Sequence, residues 1–254
     1  MLSQNQLKYY SKLLQKKYRE SEDKFIVEGV KLVDEGLNSQ FVCEIVIASN
    51  NFIKQNPDYT AELAKHTVKL ESLPQKDFDK LADTRNSQGI AAVFQKQKKT
   101  GLNLVSSNIV IGLENISDPG NLGTIMRNCD WFGIRDILVS KNSSEIYNPK
   151  VLRASMGSFF HLNIFDDIIL IDEINKLRGK GFQILCADIR GENLFDFNPD
   201  KKTFIVFCSE SHGPSGDLLA VCDKRITIPR FGNAESLNVA SASAVILSHI
   251  VKQK

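Results

Sequence analysis

Glu114-Asn115-Ile116-Ser117-Asp118-Pro119-Gly120-Asn121-Leu122-Gly123-Thr124-Ile125-Met126-Arg127 follows directly on the apolar run at 109–113 and reads as strand, turn and helix in succession. Pro119 and Gly120 suit the turn, Asn121 suits the helix cap, and Gly123 permits close approach in the first turn. Arg127 falls one and a half turns into the helix, on the face of Thr124 and roughly of Asn121. A helix start carrying an asparagine and an arginine suits a phosphate, and a capped βα turn with a surface arginine has the same pattern. Outward from this unit the alternation repeats. Strand-like runs at 137–139, 183–187, 203–207 and 225–228 are separated by helical patterns at 121–132, 149–158, 172–178 and 238–251. Strands alternating with helices predict an α/β domain, its sheet mostly parallel and covered on both faces.

Upstream, helical patterns at 4–17 and 28–37 and strand-like runs at 41–48, 67–70 and 89–94 predict a smaller α/β domain over residues 1–95. The charged stretch that follows predicts a linker at 96–107, leaving 108–254 as the larger domain. A chain of 254 residues with 42% hydrophobic and 24% charged residues is ordinary for a globular protein, and no apolar run approaches the roughly 18 residues of a membrane span. The basic, polar start lacks the pattern of an export signal, so a cytoplasmic protein is expected. Five cysteines without CxxC spacing point to reduced thiols and to no metal. Neither GxGxxG nor GxxxxGK[ST] occurs, which removes the two commonest nucleotide-binding signatures.

The net charge of +2 says little about partners, but charge clusters at the start. Lys8, Lys12, Lys16, Lys17 and Arg19 interleave with Tyr9, Tyr10 and Tyr18, a mixture suited to phosphate contact and base stacking. A solvated amphipathic helix with Leu7, Leu13 and Leu14 facing inward accounts for the same residues. Two further segments join a buried strand to a polar loop. In Phe204-Ile205-Val206-Phe207-Cys208-Ser209-Glu210-Ser211-His212-Gly213-Pro214-Ser215 the loop falls at a strand's carboxyl end, where open α/β sheets place ligands. In Ile226-Thr227-Ile228-Pro229-Arg230, followed by Glu235-Ser236-Leu237-Asn238-Val239-Ala240-Ser241-Ala242, Pro229 ends a strand and Ser236 or Asn238 begins a helix.

In order and spacing these three segments resemble the three signature motifs of the SpoU/TrmH RNA methyltransferases, within the SPOUT superfamily. Asn148-Pro149-Lys150-Val151-Leu152-Arg153-Ala154-Ser155-Met156-Gly157-Ser158 resembles that family's helix after its second strand. Phe25-Ile26-Val27-Glu28-Gly29 and Thr84-Arg85-Asn86-Ser87-Gln88-Gly89-Ile90-Ala91 resemble the substrate-binding domain that many members carry in front, related to kink-turn-binding ribosomal proteins.

The resemblance implies a trefoil knot near the C-terminus, S-adenosylmethionine as methyl donor, a ribose 2′-hydroxyl of RNA as acceptor, and a homodimer. It implies ribosomal RNA before transfer RNA, with a non-catalytic RNA-binding or ribosome-assembly factor as the alternative from another class. Arg127, Asn121, Glu210, Ser236 and Asn238 take the catalytic places. Cys208, Ser209, Ile228, Pro229, Leu237 and Asn238 take the cofactor's surroundings, and Lys16, Lys17, Arg19, Arg85 and Asn86 those of RNA contacts. The family usually has glycine where this chain has Cys208, and commonly another where it has Ser211.

Overall fold

The computed structural model describes residues 2–97, 108–199, 201–209 and 212–253. It divides into two compact units, Met1–Lys98 with Tyr147–Phe160, and Lys99–Ile146 with His161–Lys254. Of the expected linker, residues 98–107 lie outside the described residues.

The first unit begins with α1 (Gln4–Lys12), α2 (Lys16–Glu22), β1 (Lys24–Glu28), α3 (Val30–Leu37) and β2 (Cys43–Ser49). It continues with α4 (Asn50–Gln55), α5 (Pro57–Leu63), β3 (Leu70–Leu73), α6 (Gln75–Phe78) and β4 (Ile90–Gln95). Its four-stranded sheet runs β1-β4-β2-β3, with β4 antiparallel to both neighbours and β2 parallel to β3. Ser3 and Gln6 form a capping box that fixes the start of α1. From there Leu7, Tyr10 and Leu13 turn into a core with Ile26, Ile45, Ile47 and Val93.

Instead of one helix over 4–17, the chain breaks between α1 and α2, and Arg19 explains how the break is held. This arginine is 2% exposed. Its Nη1 donates to the Leu13 carbonyl at 2.8 Å, a group that the end of α1 leaves without a helical partner. It is therefore a structural residue, not the phosphate contact expected from sequence. Tyr10 is buried and donates to Glu44, and Tyr9 donates to Glu22, so neither ring stands free as a stacking platform. The amphipathic-helix alternative describes this part of the segment, while Lys16 and Lys17 are exposed. Arg19→Met is expected to lower the urea midpoint by an amount worth about 1–3 kcal/mol, because the Leu13 carbonyl would remain buried without its donor. Lys17→Met should stay within about 0.5 kcal/mol.

The second unit opens with β5 (Ile109–Glu114), α7 (Pro119–Trp131) and β6 (Asp136–Ser140). Next comes α8 (Pro149–Ser155), which belongs to the first unit. Sequence contiguity had placed it with the larger domain, but its flanking aromatics pack with the first unit's. The Phe25 ring lies 4.8 Å from Tyr147, and Phe160 lies 5.3 Å from Phe41 and 5.4 Å from Phe94. Arg153 pairs with Asp83 at 2.7 Å.

The second unit resumes with β7 (Asn163–Ile168), α9 (Leu170–Gly179), β8 (Phe182–Asn193), β9 (Lys202–Cys208), α10 (Gly216–Val221), β10 (Lys224–Thr227) and α11 (Val239–Lys252). Its six strands are all parallel, in the order β10-β8-β9-β5-β6-β7. Strands β5 and β9 are buried along nearly their whole length, as both-face coverage requires. Strand β8 is longer than its apolar stretch suggests. It pairs with β10 through Leu185 and Cys186, and again through Glu192 and Asn193, with a register shift between Arg225 and Ile226. At Gly191 the two backbones are in contact: a Cβ there would lie 2.6 Å from the Arg225 carbonyl carbon and from two Ile226 backbone atoms.

Candidate active site

The carboxyl ends of β5, β9 and β10 carry the three segments singled out in the sequence. In the first, Asp118 rather than Asn121 caps α7, its Oδ1 accepting the Asn121 N–H at 2.8 Å. Asp118 has the extended backbone that a cap needs, and Pro119 occupies the first helical turn, where its missing N–H costs nothing. This leaves the Asn121 side chain available for another partner.

That partner is Asn238, which caps α11. Its Oδ1 accepts from the Ala240 and Ser241 N–H groups at 3.0 and 3.3 Å, which fixes the orientation of the amide. The Nδ2 then donates to Asn121 Oδ1 at 2.9 Å, joining the first segment to the third across 117 positions. Asn128 strengthens the link, since its Nδ2 donates to the Ala240 carbonyl at 2.8 Å and to Ser243 Oγ at 2.9 Å. The small residues of α11 thus serve a helix pair within the chain, with Val239, Ala240, Ser243, Ile246, Leu247 and Ile250 buried. Arg127 projects from α7 as an exposed guanidinium.

Around the second segment the organising residue is one to which sequence reasoning gave no role. Glu114 ends β5 and is 8% exposed. Its backbone carbonyl accepts the Ser209 N–H at 3.1 Å, and its carboxylate accepts the Ser215 N–H at 3.0 Å and the Ser215 hydroxyl at 2.6 Å. A glutamate closing an apolar strand was the available signal, because only a partnered carboxylate is tolerated in such a place. Cys208 lies beside it with its sulfur 4.0 Å from that of Cys186, inside the cluster that includes Val206 and Leu218. Contact with Cys186 and burial push the Cys208 thiol far above its ordinary value, so it is not a nucleophile. Glu210, expected as the acid of this segment, lies outside the described residues, as does Ser211.

Ile228 and Pro229 are half-buried just beyond β10. Ser236 and Leu237 lie exposed in the loop that enters α11, Leu237 at 51%. Among the described residues no group of three or more His, Cys, Asp or Glu side chains is placed to hold a metal ion. No helix among them is long and apolar enough to cross a membrane.

In the first unit the two upstream segments meet. Glu28 accepts from the Asp83 N–H at 3.0 Å and from the Thr84 hydroxyl, and Gln88 Oε1 accepts the Val30 N–H at 2.9 Å. Gly29 sits at φ +99°, a backbone conformation that L side chains rarely adopt, which is why glycine suits this position. The loop so held presents Arg85 and Asn86 to solvent.

Residues 108–248 match the SpoU rRNA Methylase family, and residues 4–92 match the MRM3-like substrate binding domain. The chain belongs to the SpoU rRNA methylase family. Among SpoU relatives, it is 27% identical to the 23S rRNA (guanosine(2553)-2′-O)-methyltransferase of Bacillus subtilis, over 96% of this chain and 95% of that one. It is 32% identical to the 23S rRNA (uridine(2479)-2′-O)-methyltransferase of Streptomyces viridochromogenes, over 54% of this chain and 50% of that one. A solved structure from Porphyromonas gingivalis, assigned to the TrmH family, superposes with a TM-score of 0.87 at 31% identity, covering 100% of both chains. The SpoU methyltransferase AviRb of Streptomyces viridochromogenes, solved with AdoMet, has the same fold, with a TM-score of 0.87 at 23% identity over 99% of this chain and 98% of that one.

Proposed function

We propose that this SpoU family chain transfers a methyl group from S-adenosylmethionine to a ribose 2′-hydroxyl of ribosomal RNA, as a homodimer in the cytoplasm. The observation that carries this is the Asn238–Asn121 bond, which unites two family segments at the ligand-binding edge of a parallel sheet. The names of the Bacillus and Streptomyces relatives favour ribosomal over transfer RNA. The residues present suit the donor. Ile228 and Leu237 offer partly exposed apolar surface for an adenine, and the Cys208 side chain packs into the core against Cys186. Cysteine in place of the usual glycine therefore does not argue for a decayed pocket.

When bound, S-adenosylmethionine supplies an electrophilic methyl group on a cationic sulfur, so the chain's task is to align the hydroxyl and manage one proton. A guanidinium makes a poor base, since neutralising one at pH 7 costs about 9 kcal/mol. Arg127 instead holds the phosphate beside the target ribose and stabilises the developing negative charge on the 2′-oxygen. Asn121 and Asn238 lock α7 to α11 and so fix where Arg127 projects from. Lys16, Lys17, Arg85 and Asn86 contact the RNA in the first unit. Trp131 on α7, 83% exposed, and Val245 on α11, 38% exposed, offer apolar surface to a second copy. A trefoil knot in the segment ending at α11 is part of the same proposal and rests on family membership.

Comparing 2′-O-methyl maps of ribosomal RNA from wild-type and deletion strains tests the substrate, with loss of one mark expected. A lost transfer-RNA mark would move the substrate. Unchanged maps, together with no S-adenosylmethionine binding in calorimetry, would leave a non-catalytic RNA-binding factor. Asn238→Asp separates two roles within the site. It keeps the acceptor that caps α11 but loses the donor to Asn121, so stability should stay within about 1 kcal/mol of wild type while methyl transfer falls about ten-fold or more.

A further inference from the structure

Arg153 stands in the last turn of α8, inside the stretch of chain that matches the SpoU family, yet α8 packs in the first unit. Its Nη2 pairs with Asp83 Oδ2 at 2.7 Å. Asp83 opens the segment 83–89 that leads into β4, which has neither helix nor strand of its own to hold it. Hydrogen bonds fasten it near both ends. Glu28 gives one carboxylate oxygen to the Asp83 N–H and the other to the Thr84 hydroxyl, and Gln88 accepts the Val30 N–H. These bonds fix the main chain at Asp83 and leave its carboxylate to Arg153. Arg85 and Asn86 lie between the fastenings and are exposed. Stability alone does not account for an arginine here. The Arg153 Nη1 is buried and has no acceptor among the described residues, a loss comparable with what a partly exposed ion pair contributes. The cavity that Arg153 lines with Glu28, Asp83 and Leu152 measures about 10 Å³, too small for any ligand larger than water. A methionine would fill the same place with no unpaired N–H. What the guanidinium adds is a grip on Asp83, two residues before Arg85.

We propose that Arg153 is a positioning residue for RNA recognition, setting through its ion pair with Asp83 where Arg85 and Asn86 stand. This rests on the RNA contacts proposed above for those two residues. The match of residues 4–92 to a substrate binding domain supports such contacts, and that match ends well before Arg153. The residue that orients the loop therefore comes from the methylase part of the sequence, and the substrate-binding unit is incomplete without it. A brace that served stability alone would reduce the amount of folded protein and leave the RNA affinity of the folded fraction unchanged. A positioning residue changes that affinity and leaves the chemical step alone.

Filter binding of the full chain to ribosomal RNA from the deletion strain, together with methyl-transfer kinetics on the same RNA, provides the test. Arg153→Met is expected to raise Kd and KM for RNA about ten-fold, the worth of one charge-assisted hydrogen bond. Both kcat and the calorimetric affinity for S-adenosylmethionine should stay within about two-fold of wild type. Asp83→Asn should have the same effect, and the two changes together should do no more than either, because they break one pair. Arg153→Lys keeps the charge and should return RNA affinity to within about three-fold of wild type. If Arg153→Met does not fold, Asp83→Asn, on an exposed loop, carries the test with Arg153→Lys. Unchanged RNA affinity in Arg153→Met or Asp83→Asn, or additive losses in the double variant, would overturn the assignment and leave Arg153 as a brace. A wild-type chain that binds this RNA without methylating it would instead overturn the proposed methyl transfer, and the Kd values alone would then decide the role of Arg153.

Discussion

Gly191→Ala is expected to destabilise the second unit by about 3 kcal/mol or to prevent it from folding. The added methyl would lie 2.6 Å from three backbone atoms of Arg225 and Ile226, a separation that carbon contacts do not reach. A crowded side chain could rotate away, whereas a backbone has to move as a strand. Among the described residues β10 pairs only with β8, so moving it disrupts the pairing of Ile226 with Glu192 and of Thr227 with Asn193. Gly179 is the matched control: it ends α9, and a Cβ there meets nothing within 4 Å. Gly179→Ala should leave the urea midpoint unchanged within about 0.5 kcal/mol or raise it slightly. Equal midpoints for Gly191→Ala and wild type would mean that the two backbones are not packed together as described.

The second large effect is expected at Arg127. Arg127→Ala should reduce the single-turnover rate of methyl transfer by about 10²- to 10³-fold while calorimetric affinity for S-adenosylmethionine stays within about two-fold. Lysine keeps the charge but loses the planar fork that grips a phosphate through two parallel hydrogen bonds, so Arg127→Lys should recover only a small part of the loss. Its rate should keep the wild-type dependence on pH. A lysine variant near full speed, with a new rise in rate around the lysine pKa, would make residue 127 the base and remove the clamp. Arg127 is exposed on α7, so neither variant should disturb folding, and the rates can be compared directly.

Much of the second unit could be read from sequence because its signals are local. Apolar runs bounded by turns placed β5, β9 and α11 to within a residue or two, and the segment from Glu114 to Arg127 does form strand, turn and helix. Sequence reading placed the cap of α7 at Asn121, three residues late, because Asp118 is recognised as the cap only once its backbone is extended and its side chain accepts the Asn121 N–H. The far half of β8, Asp188-Ile189-Arg190-Gly191-Glu192-Asn193, has no apolar alternation, because its partner is one short edge strand. Strand β7 was hidden similarly, with Asp166 and Asp167 exposed at the sheet's edge. Residue type could not tell that Arg19 is buried, since the unsatisfied Leu13 carbonyl that draws it in exists only after α1 ends. Bringing Asn121 to Asn238 is a tertiary event, and the order of the family's segments was the only sequence sign of it.

The membership of Tyr147–Phe160 in the first unit means that the polypeptide passes between the two units three times, near residues 98, 146 and 160. A transplant of substrate specificity between relatives would therefore have to carry both stretches, the first ninety-eight residues and the fourteen-residue insert with its three aromatic rings. A chimera cut only at the apparent linker would join mismatched halves of one hydrophobic core. Synthesis on the ribosome meets the same constraint, since the leading unit lacks its last pieces until well over half of the chain has been made.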